Sequence, residues 1–143
     1  SVTEIIAYLK DWFSCVEVYF APYTLDQVKR SGRVSCAAAF MGELLGLRPL
    51  IQMVDGTSNV LEKIRGNKNI IPAIADTAAK NMIPQTPYTV IKGGVDEHVA
   101  ELAKEMFKRV GYPPAMTIQI GAAVSNNIGS EIAGIAIKAK KNR

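Results

Sequence analysis

The stretch from Lys29 to Gly56 constrains the fold most, because each predicted element in it ends at a residue with a physical reason to end it. Ser35 is a favourable helix N-cap, and the apolar residues after it recur at the spacing of one helical face. Gly46 suits the left-handed position that follows a helix, and Pro49 prevents the helix from resuming. We therefore predict a buried helix after Ser35, followed by a strand at 50–54.

The rest of the chain alternates helical and strand patterns. Helical periodicity covers 2–13, 23–30, 69–82 and 96–110, and strand patterns cover 16–20, 58–65, 88–91, 115–120 and 135–138. Asp55-Gly56 is a strong hairpin signal, so the strand at 58–65 should run antiparallel to the strand at 50–54. The later alternation of strands and helices predicts parallel neighbours joined by right-handed crossovers. Residues 1–143 should therefore form a single α/β domain of the α+β type, a mixed β-sheet of about six strands with helices packed on it.

Composition indicates a globular protein that is not inserted in a membrane. The chain is 48% hydrophobic and 21% charged, with a net charge of +4 that comes largely from the tail at 138–143. No apolar run approaches the roughly 20 residues that span a bilayer. Cys15 and Cys36 lie in apolar settings without the spacing of a metal pair, which favours buried thiols in a reducing cytoplasm.

Common catalytic motifs are absent from the sequence. The spacing of Gly129 and Gly134 matches a phosphate loop, but Ile135 stands where that loop needs lysine. The single histidine, His98, falls on the polar side of a predicted helix, so we expect it to be solvated and no zinc site to form. We predict no catalytic residue and no metal.

Two features remain as candidate binding sites. Arg33 and Arg65 each lie beside a glycine at an element boundary, where a guanidinium can bind a carboxylate or phosphate, or equally bond loop carbonyls. Arg30 and Lys68 are interpreted as ordinary surface charge. The small residues at 121–134 allow a ligand to approach the backbone closely, although a tight structural crossover explains them equally well.

Three segments resemble a known family. They are TLDQVKRSGRVSCAAAFMGELLGLRPLIQMVDG (24–56), LEKIRGNKN (61–69) and IGAAVSNNIGSEIAGIAI (120–137). In order and spacing they are similar to the C-terminal domain of the DegV family, bacterial fatty-acid-binding proteins that serve as the lipid-carrying subunit of fatty acid kinase. The resemblance covers nearly the whole chain. It implies two domains around a buried acyl chain, with the N-terminal domain absent here, which agrees with a chain that begins at Ser1 rather than at methionine.

The resemblance also implies a set of ligand-binding residues. Arg33 and Arg65 match arginines of the family motifs, and Asn127 falls where the family has a histidine. Ser130 and Glu131 replace the Pro-Gly of the same motif. The predicted ligand-binding residues are Arg33, Arg65, Ser125, Asn127 and Gly129, and the predicted acyl-chain lining is Phe40, Met41, Leu44 and Met53.

The predicted function is therefore a cytoplasmic lipid-binding module of phospholipid metabolism, not an enzyme. Its partners would be a long-chain fatty acid, which is the bound ligand in place of a cofactor, and the catalytic subunit of a fatty acid kinase, to which the bound acid is presented. One alternative is a regulatory or nucleic-acid-binding module that uses the basic tail, but aromatic residues for base stacking are missing near the lysines. The other alternative, a phosphoryl-transfer domain, lacks a base or metal site in the sequence.

Overall fold

The computed structural model of the protein describes residues 1–32 and 46–140. The helices are α1 (Val2–Phe13), α2 (Asp26–Ser31), α3 (Ile70–Asn81), α4 (Asp96–Val110) and α5 (Ala122–Ile128). The strands are β1 (Val16–Pro22), β2 (Leu47–Val54), β3 (Thr57–Arg65), β4 (Thr89–Lys92), β5 (Met116–Gln119) and β6 (Ile132–Lys138). The helix predicted after Ser35, Cys36 and four predicted ligand residues lie outside the described ranges; those four are Arg33, Phe40, Met41 and Leu44.

The described strands form one sheet of six strands in the order β3-β2-β1-β6-β4-β5. Strands β4 and β5 are parallel, and each of the other neighbouring pairs is antiparallel. This mixed sheet with helices packed on it is the predicted fold class, which is therefore confirmed.

The predicted hairpin between β2 and β3 is also confirmed. Val54 pairs with Thr57, and the two residues between them, Asp55 and Gly56, have φ values of 49° and 73°. Positive φ at both central residues is what a two-residue hairpin turn with the twist of its strands requires, and glycine and aspartate tolerate it best.

The predicted strand order is wrong in one place. Strands β3 and β4 are joined through α3, as expected, but they are not neighbours, because β2, β1 and β6 lie between them. The last strand in the chain, β6, lies in the middle of the sheet and pairs with β1 on one side and with β4 on the other. The second crossover, from β4 through α4 to β5, does join parallel neighbours as predicted.

The segment at 121–134 is more regular than the small-residue loop predicted for it. It contains α5, and β6 begins at Ile132, three residues before the predicted start. Strand β6 pairs with β1 on one side and β4 on the other, and a Cβ on Gly134 would lie 3.0 Å from the Cβ of Phe20 and 3.4 Å from that of Ile91. Glycine at this position therefore leaves room for the side chains of Phe20 and Ile91.

Helices α3 and α4 cover the first face of the sheet. Their buried residues recur at helical spacing and pack on alternate residues of the central strands, as expected for an amphipathic helix on a sheet. The buried side chains of this layer include Tyr19, Leu50, Ile70, Ile71, Ile74, Ala75, Ala78, Val90, Leu102, Met106, Ile135 and Ile137. Helix α1 is different, because none of its residues is buried and Ile5 and Phe13 are 60% and 66% exposed.

Candidate functional site

The second face of the sheet carries an apolar row that crosses all six described strands. Residues directly opposite each other in neighbouring strands project to the same face. The register pairs Phe20 with Ile51 and with Gly134, and Ile91 with Gly134. The complete first row is Val60, Ile51, Phe20, Gly134, Ile91 and Ile118. Phe20 and Ile51 are buried, whereas Ile118 at the edge is 43% exposed.

A second row lies beside the first and is less covered. It runs through Ser58, Met53, Val18, Ala136, Thr89 and Met116. Met53, which the sequence predicted as acyl-chain lining, is 39% exposed, and Met116 is 58% exposed. Val18, Ala136 and Thr89 at the centre are half-buried. Together the two rows make an extended apolar surface, and such surfaces mark sites for apolar ligands or partners.

A polar groove of about 850 Å³ lies at one end of this face, between α2 and α5. It is at the end of the sheet where β1 finishes and β6 begins, because Pro22 pairs with Ile132. Hydroxyl, amide and charged groups line it together with small residues. The lining is Thr24, Asp26, Gln27, Arg30, Ala122, Ala123, Ser125, Asn126, Gly129, Ser130 and Glu131.

Helices α2 and α5 contact the apolar face of the sheet with one side and line the groove with another. Val28 of α2 and Ile128 of α5 are buried against Phe20, Ile51 and Ile132 of the second face. The opposite sides of the two helices line the groove. A polar surface and an apolar surface therefore lie next to each other at this end of the sheet, with α2 and α5 between them.

Backbone hydrogen bonds fix the wall of the groove. The N–H of Tyr23 donates to the carbonyl of Glu131 at 2.9 Å, and the N–H of Gly94 donates to the carbonyl of Ser130 at 2.5 Å. The guanidinium Nε of Arg48 donates to the carbonyl of Tyr23 at 2.7 Å. The loop before β6 is therefore tied to β1, and through Tyr23 to β2, so the groove has a preformed shape.

The predicted solvated position of His98 is wrong. Its ring is stacked on the ring of Tyr23, and its Nδ1 atom is buried without a hydrogen-bond partner among residues 1–32 and 46–140. Burial, and then the negative charge of Glu101, raise the pKa of Tyr23 to about 12, so its hydroxyl stays neutral at ordinary pH. The helical pattern failed here because Tyr23 reaches His98 from a distant part of the chain.

The structure brings two of the predicted ligand-binding residues to the groove. Ser125 and Gly129 line it. Asn127 lies in the same helix, but its amide donates to the carbonyl of Ala123 at 2.7 Å, within the helix. Arg65 is exposed at the last position of β3, two strands away from β1, and is not part of the groove lining.

Sequence reasoning missed the contribution of α2 to the groove. Arg30, interpreted as ordinary surface charge, lines it together with Thr24 and Gln27. The three residues are spaced three apart: Thr24 precedes α2, Gln27 and Arg30 lie in it, and Arg30 is on the side opposite the buried Val28. That polar stripe was the available signal, since residues at such spacing share a helical face.

Within residues 1–32 and 46–140 no group of His, Cys, Asp or Glu side chains could hold a metal ion. None of their helices combines the length and the apolar character that crossing a bilayer needs.

The sequence profile of the DegV family, described as a family of uncharacterised proteins, matches residues 1–140. The chain belongs to the DegV family. A DegV domain-containing protein of Clostridium perfringens is 29% identical over 84% of this chain and 43% of its own length. Protein DegV of Bacillus subtilis is 28% identical over 94% of this chain and 49% of its own length. This DegV chain thus spans about half the length of the curated relatives it matches.

Solved structures of DegV proteins have the same fold. A stearic acid-binding protein from Eubacterium ventriosum superposes with a TM-score of 0.81 at 22% identity, over 95% of this chain and 48% of its own. DegV of Bacillus subtilis, a fatty acid binding protein, superposes with a TM-score of 0.69 at 28% identity, over 98% of this chain and 50% of its own. The predicted family is confirmed, and DegV proteins include fatty-acid-binding proteins.

Proposed function

We propose that this DegV chain supplies a binding surface for a long-chain fatty acid. The acyl chain lies on the less covered second row, and the carboxylate points to the polar groove. The observation that carries the proposal is that the two surfaces adjoin: the helices that line the groove pack on Phe20 and Ile132, and the second row beyond them leaves Met53 exposed. The relatives with the same fold support it, because their ligands include stearic, vaccenic and heptadecanoic acids.

The physical chemistry of the two surfaces suits the two ends of such a ligand. Each methylene group removed from water contributes about 0.8 kcal/mol, so a long acyl chain gains most of its binding free energy from the apolar rows. The groove offers the hydroxyl groups of Thr24, Ser125 and Ser130 and the guanidinium of Arg30. Hydroxyl and guanidinium donors can replace the water that a carboxylate loses on binding.

Titration with stearic acid tests the proposal. Met53 and Phe107 are both exposed apolar residues, but Met53 is in the second row and Phe107 is on α4, over the first face. Met53→Asp should weaken stearic acid binding at least tenfold, because a charge beside the acyl chain must lose water. Phe107→Asp is the matched control and should bind as the wild type does. Equal affinities of both variants and the wild type would contradict the proposal.

We further propose that the bound acid is presented to a separate kinase and that this chain has no chemistry of its own. The resemblance to the lipid-carrying subunit of fatty acid kinase supports this, as do the exposed Arg30 in the groove lining and the exposed Arg65 at the same end of the sheet, two strands from β1. In this proposal the chain is one domain of a longer protein, as its half-length match to its relatives suggests. Arg65→Ala should lower the turnover of the coupled kinase while leaving fatty acid binding intact. Unchanged turnover would remove Arg65 from the kinase contact.

A further inference from the structure

Strand β5 is exposed on both of its faces and along one edge. All of its residues are exposed, and no other described strand lies beyond it in the sheet. Its side chains carry no charge, and Met116 and Ile118 are 58% and 43% exposed. An uncharged edge strand pairs readily with a strand of another chain, because the backbone groups along its free edge need hydrogen-bond partners.

The opposite edge of the sheet, β3, has the features that protect an edge from such pairing. It carries the charged side chains of Glu62, Lys63 and Arg65. A β-bulge at Leu61 also interrupts its pairing with β2. Charges and bulges both hinder edge-to-edge pairing, and β5 has neither, since its register with β4 is regular. The protection of β5 is limited to its length of four residues.

The hydrogen bonds beside β4 show which of its backbone groups face β5. The carbonyl of Tyr88 accepts from the N–H of Ala115 at 2.9 Å. The carbonyl of Lys92 accepts from the N–H of Ile120 at 3.0 Å. Backbone groups alternate between the two sides of a strand, so Val90, midway between these two residues, also faces β5.

The free backbone groups of β5 follow from this direction. Val90 pairs with Thr117, and in a parallel ladder it bonds the residues on either side of its partner, Met116 and Ile118. Thr117 and Gln119 therefore turn their N–H and carbonyl groups to the free edge. Two donors and two acceptors are thus available to another strand.

This free edge is complementary to itself. When two β5 strands pair antiparallel with Ile118 opposite its copy, Thr117 lies opposite Gln119, and these residues exchange four backbone hydrogen bonds. On the second face Ile118 then contacts its copy, and Met116 contacts Ile120, which packs with the apolar residues of that face. Apolar residues meet apolar ones and uncharged polar residues meet polar ones.

An exposed aromatic residue adds apolar area on the first face. Phe107 of α4 is 52% exposed. Arg109, two residues later, bonds Asp76 of α3, so Phe107 points away from α3. Helix α3 contacts β2, β1 and β6, and β5 lies on the other side of α4. Phe107 is therefore on the β5 side of its helix.

We propose that two copies of this chain pair through β5, with a two-fold axis at Ile118. The two sheets then form one sheet of twelve strands, six from each copy. Because the axis is perpendicular to the sheet, the second faces of both copies point to the same side, and the first row continues through Ile118 into the first row of the copy. The pairing goes beyond the proposed function and does not depend on a bound fatty acid.

Sedimentation equilibrium of the protein that carries residues 1–143 tests this pairing. The wild type should shift from monomer to dimer as its concentration rises to about 1 mM. Ile118→Lys places two ammonium groups opposite each other on the axis and should raise the dissociation constant at least tenfold. Leu61→Lys is the matched control, because Leu61 is 45% exposed on the other edge strand, and should leave the dissociation constant unchanged.

Cysteine cross-linking tests the register independently. Opposed residues of a non-hydrogen-bonded pair have Cα atoms about 4.5 Å apart, within reach of a disulfide. Ile118→Cys should therefore give a disulfide-linked dimer when an oxidant is added, above the background that the wild type shows from Cys15 and Cys36. Met116→Cys is the control, because in this register Met116 lies four residues from its copy, about 14 Å away.

Three results would overturn the proposal. A wild type that stays monomeric up to about 1 mM would leave this edge free for an extended segment of a different protein. A dimer that Ile118→Lys weakens no more than Leu61→Lys does would use another surface. Equal cross-linking of Met116→Cys and Ile118→Cys would exclude the axis at Ile118. If Ile118→Lys fails to fold, the two cysteine variants decide.

Discussion

The imidazole ring of His98 lies flat on the phenol ring of Tyr23, with ring centroids 3.8 Å apart and the planes at 4°. This contact joins the first turn of α4 to the junction between β1 and α2. The backbone of Tyr23 at that junction also bonds Arg48 and Glu131, and the next residue, Thr24, lines the groove. The stacked pair therefore supports the wall of the groove at Tyr23 and Thr24.

Removing the imidazole should destabilise the fold. We expect His98→Ala to lower the free energy of unfolding by about 1–2 kcal/mol, because the stacked aromatic contact and its buried area are lost. His98→Phe should be at least as stable as the wild type, since it keeps a flat ring and removes the unpaired Nδ1. Urea unfolding measures the stability of both His98 variants, and Glu97→Ala at an exposed position is the control. If His98→Ala unfolds at the same urea concentration as the wild type, the stacked contact does not stabilise the fold.

The buried tyrosines should make the fold sensitive to alkaline pH. Burial is the main cause that raises the pKa of both Tyr23 and Tyr88 to about 12, from an ordinary value of 10.0. The native state keeps the two hydroxyl protons to a higher pH than the unfolded chain does. The free energy of unfolding that these protons contribute is therefore complete below pH 10.0 and is lost as the pH rises through about 12. Urea unfolding across this range should show the loss, and Tyr23→Phe should reduce it. Tyrosinate absorbance appearing in the native protein already near pH 10.0 for every tyrosine would contradict this prediction.

Gly93 should tolerate no side chain. A Cβ at this position would lie 2.3 Å from the carbonyl oxygen of Ser130 and 2.6 Å from the backbone nitrogen of Ile132, and neither backbone atom can move away as a side chain could. We expect Gly93→Ala to cost about 2 kcal/mol or more of stability, as overpacking does. Gly121→Ala, where the added Cβ meets no atom of the described part of the chain within 4 Å, is the matched control. The measurement is the thermal unfolding midpoint of each variant. Equal midpoints would contradict the prediction and show that the loop before β6 can shift.

Two arginines at the same end of the sheet should behave differently. Arg48 donates to the carbonyls of Tyr23 and Leu47, at 2.7 and 2.9 Å, so Arg48→Ala should destabilise by about 1.5–3 kcal/mol. Arg65 is exposed, and Arg65→Ala should change stability by less than about 0.5 kcal/mol. Chemical denaturation of the two variants measures their stabilities. An equally large loss of stability in Arg65→Ala would show that Arg65 has a structural role.

Neighbouring asparagines of α5 test the head-group end of the site. Asn126 lines the groove, whereas the amide of Asn127 donates to Ala123 within the helix. Asn126→Ala should weaken stearic acid binding about tenfold through a lost hydrogen bond to the carboxylate, and Asn127→Ala should weaken it less. A larger loss at Asn127, measured by titration, would instead support its predicted role as a ligand. Asn127→His would then make binding depend on pH near neutrality.

Much of this fold was determined by local sequence signals. The Asp55-Gly56 turn and the register of β2 with β3 followed from backbone requirements that few residues meet. The periodic helices at 70–81 and 96–110 followed from the spacing of their apolar residues. Three segments were enough to indicate the DegV family and its mixed sheet, because motif order and spacing are properties of the chain itself.

Tertiary structure decided what depends on residues far apart in the chain. Strand β6 lies between β1 and β4, where Ile135 and Ile137 are buried in the core, and no local pattern encodes this placement. His98 is stacked rather than solvated because its ring packs on Tyr23, which lies 75 positions earlier in the sequence. The groove exists only where α2 meets α5, so the polar stripe from Thr24 to Arg30 acquires a role only once those helices are packed together. Such non-local contacts are chosen by the burial of the whole core, which the spacing of residues in one segment cannot specify.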